Sequence, residues 1–318
     1  MPRSIVWIIL TAATALGVDT ASGQSYPNKP IRILTAAAGG SPDFVSRVIT
    51  QGISASLGQQ VIVDNRSSGL IPAEIVSKAP ADGYTLLVTS NSMWILTLMQ
   101  SAPFDPVTEF SPITLASMAP TILVVHPSVP AKSVRALIAL AQARPGELNY
   151  ASSTAGTASH LAGELFKNMA GVKMVRISYK GAGLAINDLL SGQVQLAFFT
   201  ATSVMPHVKS GRLRALAVTS AQPFALFPEL PTVAASGLPG YEATSVYCVF
   251  APAKTPDAIV ARLNHEIVQF LKTAAARKKL LNAGSEVVAG SPEQLAAAMK
   301  SDMTRMGAVI KRAGIHTD

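Results

Sequence analysis

Charge is what this 318-residue chain has least of: Asp, Glu, Lys and Arg together make up 14% of it, against ~25% in an ordinary soluble domain. Low charge does not mean disorder here, because hydrophobic residues reach 49% and supply a large core. Cysteine occurs once, at Cys248, so no disulfide forms within the chain and packing alone must carry stability. Cys248 lies in the apolar run Val246–Phe250, which reads as a strand, and a small buried hydrophobe is its expected role. Catalytic spacings are missing as well. His265-Glu266 has no second His four residues after the first, and there is no nucleophile elbow, Walker loop or dinucleotide fingerprint. Serines near His160 mimic a Ser–His pair, but no carboxylate is placed as the third member. The five histidines are dispersed without metal-ligand spacing. The expectation is a protein that is not an enzyme, with no cofactor and no metal. The net charge of +8 comes from scattered residues, and the one tight cluster, Arg277-Lys278-Lys279, falls late in a helix pattern. Cations there complement the helix dipole and face solvent, and no aromatic-interleaved basic strip suits nucleic acid.

What the chain does have is one local pattern, twice. Thr35–Asp43 and Ala151–His160 each follow a short apolar strand, pass through small residues and glycine, and enter an amphipathic helix. Such a strand–turn–helix junction leaves backbone N–H groups directed at one spot, with the positive helix end behind them. That is an anion-binding geometry. Two of them, about 115 residues apart by sequence count, suggest two lobes gripping one acidic molecule. Gly39 and Gly40 permit close backbone approach, and Ser41, Ser153, Thr154 and Thr157 offer hydroxyl donors.

The N-terminus reads as a signal peptide over residues 1–23. Arg3 precedes the apolar stretch Ile5–Leu10 with Ala12–Leu16, and Ala21-Ser22-Gly23 offers small residues before a cut near Gln24. The apolar stretch is shorter than the ~20 residues needed to span a bilayer. Beyond it, strand and helix patterns alternate: strands at Ile31–Ala36, Gln60–Asp64, Thr85–Thr89, Ile122–His126, Leu148–Ala151, Val175–Tyr179, Val194–Phe199 and Leu213–Thr219, with helices between most of them. Alternation of this kind predicts parallel sheets with crossover helices, an α/β class. After Ser220 the rhythm breaks into a Pro- and Gly-rich stretch with a short helix candidate at Thr232–Ser236. A strand at Ser245–Ala251 and helices at Pro256–Thr273, Ala275–Ala283 and Pro292–Ala313 follow. This last segment has too few strands for a domain, so it is expected to complete the first sheet. The predicted lobes are therefore 24–122 with 221–318, and 123–220.

Several longer signatures then converge: Tyr26–Arg32, Gly39–Asp43, Asp82–Leu87, Pro127–Ser133, Gly146–Ser153, Gly156-Thr157 with His160–Phe166, Tyr179–Gly181, Leu213–Thr219, Pro231–Val233 and Gly240–Glu242. In combination, from about Tyr26 to Ile315, they resemble the Bug family, the substrate-binding receptors of tripartite tricarboxylate transporters. The resemblance implies an α/β, two-lobed periplasmic binding protein type II fold that closes like a flytrap. It also implies a periplasmic location, a small organic acid held between the lobes and delivery to membrane permease subunits. A ligand sensor that signals to a partner is the alternative. A monomer is expected.

Mapped through the resemblance, the anchoring loops are Ala38, Gly39, Gly40, Ser41 and Asp43 in one lobe and Ser153, Thr154, Gly156, Thr157 and His160 in the other. Asp43 either caps its helix or meets the ligand; His160 either faces the cleft or packs on its own helix. Asn91 and Ser92, after the strand Thr85–Thr89, are placed to read the ligand's distal end, and Trp94 is either core or a cleft wall. The chain also departs from the family. Ala36–Ala38 replaces an aromatic, proline-containing lead-in, the loop Ser67–Pro72 is shorter and lacks an Asn, and Phe199-Thr200 stands where many members carry Asp. These departures favour a less polar or aromatic acid over an amino acid, with Phe199 lining the site.

Overall fold

The computed structural model describes residues 26–66, 70–153 and 156–314. The predicted leader 1–23, most of the shortened loop after Arg66, and Thr154 lie outside the described residues. A ten-stranded sheet runs in the order β2-β1-β3-β9-β4-β7-β5-β6. Its members are β1 (Ile31–Thr35), β2 (Val61–Asn65), β3 (Thr85–Ser90), β4 (Phe110–Val125), β5 (Asn149–Ser152), β6 (Val175–Ser178), β7 (Leu196–Thr200) and β9 (Thr244–Pro252). β8 (Arg214–Val218) and β10 (Glu286–Val287) pair with β4 off this path.

β4 joins two halves. Phe110–Pro120 pairs with β9, and Thr121–Val125 pairs with β7. The sequence suggests a strand only from Ile122, because Ser111, Pro112, Ser117 and Pro120 interrupt any apolar run before it. The structure extends it back to Phe110, with register shifts between Pro112 and Thr114 and between Leu115 and Ser117. These bulges let the ladder accept proline, which donates no hydrogen bond. The expected completion of the first sheet by the last segment does occur, with β9 between β3 and β4. The expected helix at Thr232–Ser236 does not. Thr232 bridges to Val218, and the chain then turns through Val233–Gly237, as the flanking Pro231, Gly237 and Pro239 dictate.

Register fixes where the loops gather. β1 and β3 are parallel, β9 runs against β3, and β4 runs against β9. β7 opposes β4, and β5 lies parallel to β7. Strands of the two halves therefore end head-on at one level. Ser90, the last residue of β3, pairs with Tyr247, which lies opposite Ser117; Thr200, the last of β7, pairs with Thr121. Ligands of open α/β sheets bind beyond the carboxyl ends of the strands, and here both sets of ends meet beside Ser117–Thr121.

Helices cover both faces. On one face of the first half, α1 (Ser41–Leu57), α8 (Asp257–Leu271) and α9 (Ala274–Asn282) bury Ile31, Ile33, Val48, Ile49 and Leu263. On the matching face of the second half, α6 (Ala182–Leu190) and α7 (Ala201–Lys209) cover Ile122, Val124, Phe199 and Val204. The opposite face carries one core shared by both halves. There α2 (Ile71–Ser77), α3 (Ser92–Leu96), α4 (Val134–Ala143), α5 (Ala158–Ala170) and α10 (Pro292–Ala313) enclose Leu34, Trp94, Leu123, Phe166, Phe198 and Phe250. α10 spans about 33 Å at 1.5 Å per residue and packs on β4, α3 and α5.

Candidate functional site

The two Gly-bearing junctions share an internal construction that their sequences do not display. Gly39 and Gly156 both stand just before an N-cap, with φ of 83° and 75°, the left-handed region that glycine enters without a Cβ penalty. Each donates its N–H to the side chain four residues on. Gly39 N–H meets Asp43 Oδ2 at 2.9 Å, and Gly156 N–H meets His160 Nδ1 at 3.1 Å. Asp43 and His160 are each the third residue of a helix whose N-caps are Gly40 and Thr157. Both are buried, at 4% and 3% exposure. Asp43 is thus not the N-cap, and its carboxylate is taken up by Gly39, Arg47 and Asn65. His160 packs back on its own loop. These two residues hold the loop shapes and leave the following helix-start N–H groups as donors, with Pro42 removing one at α1.

The electrostatics of the two loops differ. Burial acts to raise the Asp43 carboxyl, but the bonds from Arg47, the Gly39 N–H and Asn65 outweigh it and hold the group below its ordinary range, so it is ionised. Burial, then the neighbouring Arg176, push the His160 imidazole down to about 4, so it is neutral at pH 7. Its Nδ1 accepts from Gly156, which puts the ring proton on Nε2. Arg176, on β6, donates to Ser152 Oγ at 2.7 Å and to the Ser153 carbonyl at 3.0 Å. The α5 junction therefore combines a helix start, a neutral histidine and a guanidinium. The α1 junction already carries its own carboxylate. Of the two, the α5 loop offers the more positive surroundings for an anion.

Asn91, Ser92 and Gly156 line one cavity of about 60 Å³. Ser92 Oγ sits 2.7 Å from Ser90 Oγ, and Asn91 Nδ2 donates to the Thr244 carbonyl at 3.2 Å. Gly39, Gly40 and Ser41 instead line a separate groove with Phe44, Ala283 and Ser285, and Ala38 stands exposed beside it. Tyr247 connects the two: buried in β9, it is hydrogen-bonded to both Ser41 and Ser245, and Ser245 lines the first cavity. Ser153 follows β5 with its N–H on Ser159 Oγ, and Thr157 Oγ1 is 3.2 Å from the same oxygen.

Phe199, an expected site residue, is core, and so is Trp94, for which the sequence left core and cleft wall open. Phe199 is 4% exposed and packs among Ile122, Val124 and Val204, because strand alternation in β7 turns it to the α6–α7 face. The exposed neighbour, Thr200, takes the strand end. Trp94 is fully buried, edge-on to Phe250, with its indole N–H on Asp302 Oδ2 at 3.0 Å. Cys248 is fully buried, and burial raises its thiol.

Four residues around the cavity escape sequence reasoning: Glu242, Thr244, Asp302 and Arg305. Asp302 and Arg305 are spaced three apart on α10, a pattern indistinguishable from a solvent-facing ion pair. Arg176 escapes as well, being one cation on a short edge strand. Among the described residues no group of three or more His, Cys, Asp or Glu is placed to hold a metal ion, and no helix is long and apolar enough to cross a membrane.

Comparison with known proteins places this geometry. The family model described as "Tripartite tricarboxylate transporter family receptor" matches residues 45–315. Protein BugT of Bordetella pertussis (strain Tohama I) is 35% identical over 320 residues, 99% of this chain and 98% of that protein. A protein encoded in the tcbD-tcbE intergenic region of Pseudomonas sp. (strain P51) is 36% identical over 304 residues, 92% and 90% of the respective chains. Among solved structures, R. palustris Rpa4515 with adipate superposes with a TM-score of 0.77 at 35% identity, covering 92% of this chain and all of that one. MatC from Rhodopseudomonas palustris with bound malate gives 0.73 at 26% identity, covering 90% of this chain and all of that one. The chain belongs to the tripartite tricarboxylate transporter receptor family and has its two-lobed periplasmic binding protein fold.

Proposed function

We propose that this protein is an extracytoplasmic receptor that binds a small carboxylate between its lobes and delivers it to a membrane permease. In this reading residues 1–23 direct export and are removed, and the lobes are 24–122 with 221–318, and 123–220. The carboxylate is taken by the helix-start N–H groups of α5 and the hydroxyls beside them, with Arg176 behind. Asn91 and Ser92 face it from the first half. The observation that carries the reading is the approach of the carboxyl ends of β3 and β7 to one stretch of β4, Ser117–Thr121, with the α5 loop and Ser90–Ser92 lining a common cavity. The adipate and malate complexes of related chains support a carboxylate as the ligand class. No catalytic role is assigned to His160, whose Nδ1 accepts from the Gly156 N–H.

A thermal-shift screen tests this with mono-, di- and tricarboxylates, aromatic acids and the neutral amide of each. An acid at a hundred times its Kd stabilises the fold by ~2.7 kcal/mol. The expected result is a shift from at least one acid and none from its amide. Equal shifts from acid and amide, or none from any acid, would contradict the assignment.

A further inference from the structure

The cavity beside the α5 loop has a second wall with no part in holding the first carboxylate. Glu242, Thr244, Asp302 and Arg305 form it. Arg305 Nη1 donates to Glu242 Oε2 at 3.0 Å, and Nη2 donates to Asp302 Oδ1 at 2.9 Å. The other Asp302 oxygen accepts from the Trp94 indole and from Asn91. Two carboxylates on one guanidinium leave this wall with a net charge of −1.

Two polar atoms of the wall are buried and hydrogen-bonded to nothing among the described residues: Thr244 Oγ1 and Arg305 Nε. Thr244 is 8% exposed and lines both this cavity and an adjoining one of about 130 Å³. A buried polar atom without a partner costs free energy that a ligand atom can recover. The Nε–H donates only, and the hydroxyl donates or accepts, so the complementary group is an oxygen. A second carboxylate would supply oxygens but would sit against the net negative charge in a partly desolvated place, where repulsion is strong. Ile95, Leu161 and Met306 complete an apolar surround.

We propose that this wall sets specificity at the ligand's far end. It takes an acid with one carboxylate, a largely apolar body and one neutral oxygen, a hydroxyl or carbonyl, placed on Thr244 Oγ1 and Arg305 Nε. It disfavours a second carboxylate, so this chain parts from the relative that holds adipate. The inference rests on the reading above that a carboxylate occupies the cleft.

Isothermal titration of the purified chain with hexanoate, ω-hydroxyhexanoate and adipate, and with their shorter and longer homologues, tests it. At the best chain length the hydroxy acid should bind about tenfold tighter than both the plain acid and the dicarboxylate, the worth of one hydrogen bond to a charged donor. Thr244→Val, which keeps the side chain's shape, should bring the hydroxy acid down to the plain acid's affinity. Glu242→Gln should strengthen the dicarboxylate about tenfold by removing a like charge. A dicarboxylate that binds tightest to the unmodified chain, or a Thr244→Val variant that weakens all acids equally, overturns the inference and leaves the carboxylate reading standing. Binding of no acid overturns both.

Discussion

Burial, with the Arg176 guanidinium beside it, takes the His160 imidazole from an ordinary 6.5 down to about 4. Unfolded His160 binds a proton below about 6.5 and folded His160 does not until about 4. Stability is therefore fully held above pH 6.5 and is lost as pH falls toward 4. Between pH 7 and pH 5 the loss from this one group is on the order of 1–2 kcal/mol. Urea unfolding at the two pH values should show a smaller drop for His160→Asn than for the unmodified chain. Parallel drops would contradict the assignment. The glycines separate in the same way. A Cβ on Gly156 meets Leu96 at 2.8 Å and adopts φ of 75°, whereas one on Gly39 meets nothing within 4 Å at φ of 83°. Gly40 has an ordinary φ of −78°. Gly39→Ala should cost about 1 kcal/mol for the backbone alone, Gly156→Ala more, and Gly40→Ala least. Melting temperatures in another order would refute this. The sequence shows that Gly39-Gly40 and Gly156 mark loops, but not which glycine turns left-handed. Arg47, four residues from Asp43, is legible as its partner. Asn65 is not, because it lies 22 positions further along the chain, with no local pattern to record the contact.

At the scale of elements, α10 ties the cleft to the core. Ser291 and Gln294 form a capping box at its start, and Ser291→Ala should cost ~1 kcal/mol. Deeper along it, Asp302 accepts from Trp94, Asn91 and Arg305 at once. Asp302→Ala would leave the buried Trp94 indole N–H unpaired and take one of its two carboxylates from Arg305, and equilibrium unfolding should record a loss of about 1–3 kcal/mol. A loss under ~1 kcal/mol would mean that the network relaxes without it. The amphipathic period makes α1, α4, α5, α8 and α10 readable as helices, and their starts are marked by Pro, Ser or Thr. The inward turn of the α10 charges is not readable, since helical spacing alone does not say which stripe is covered. The first part of β4 escapes for the opposite reason. It is a strand held by pairing on both sides, and Pro112 is accommodated by a bulge that only the partner strand makes possible.

The whole molecule is two half-sheets fused through β4, with one continuous core on the α10 face. Alternating strands and helices make the α/β class legible, and the return of the last segment to the first sheet follows from its shortage of strands. The place where strand ends meet is not legible, because it depends on antiparallel insertions of β9 and β7 against β4 that no local pattern encodes. Those insertions turn the two glycine-bearing junctions toward the middle of β4, with unequal electrostatics. At the α1 junction the Gly39 N–H is held by the ionised Asp43, and at the α5 junction the Gly156 N–H is held by the neutral His160. Closure of the lobes on an acid should compact the molecule, and small-angle scattering at saturating ligand should give a smaller radius of gyration than without it. An unchanged radius would argue for a site formed in advance.

The most direct measurement is a crystal structure with the acid that gives the largest thermal shift. The account predicts the carboxylate within hydrogen-bond distance of the α5 helix start, between Gly156–His160 and Ser90–Ser92, with the rest of the molecule pointing to Thr244 and Arg305. A carboxylate bound in the groove between α8 and the start of α10, or on Arg47 with the α5 loop empty, would contradict it.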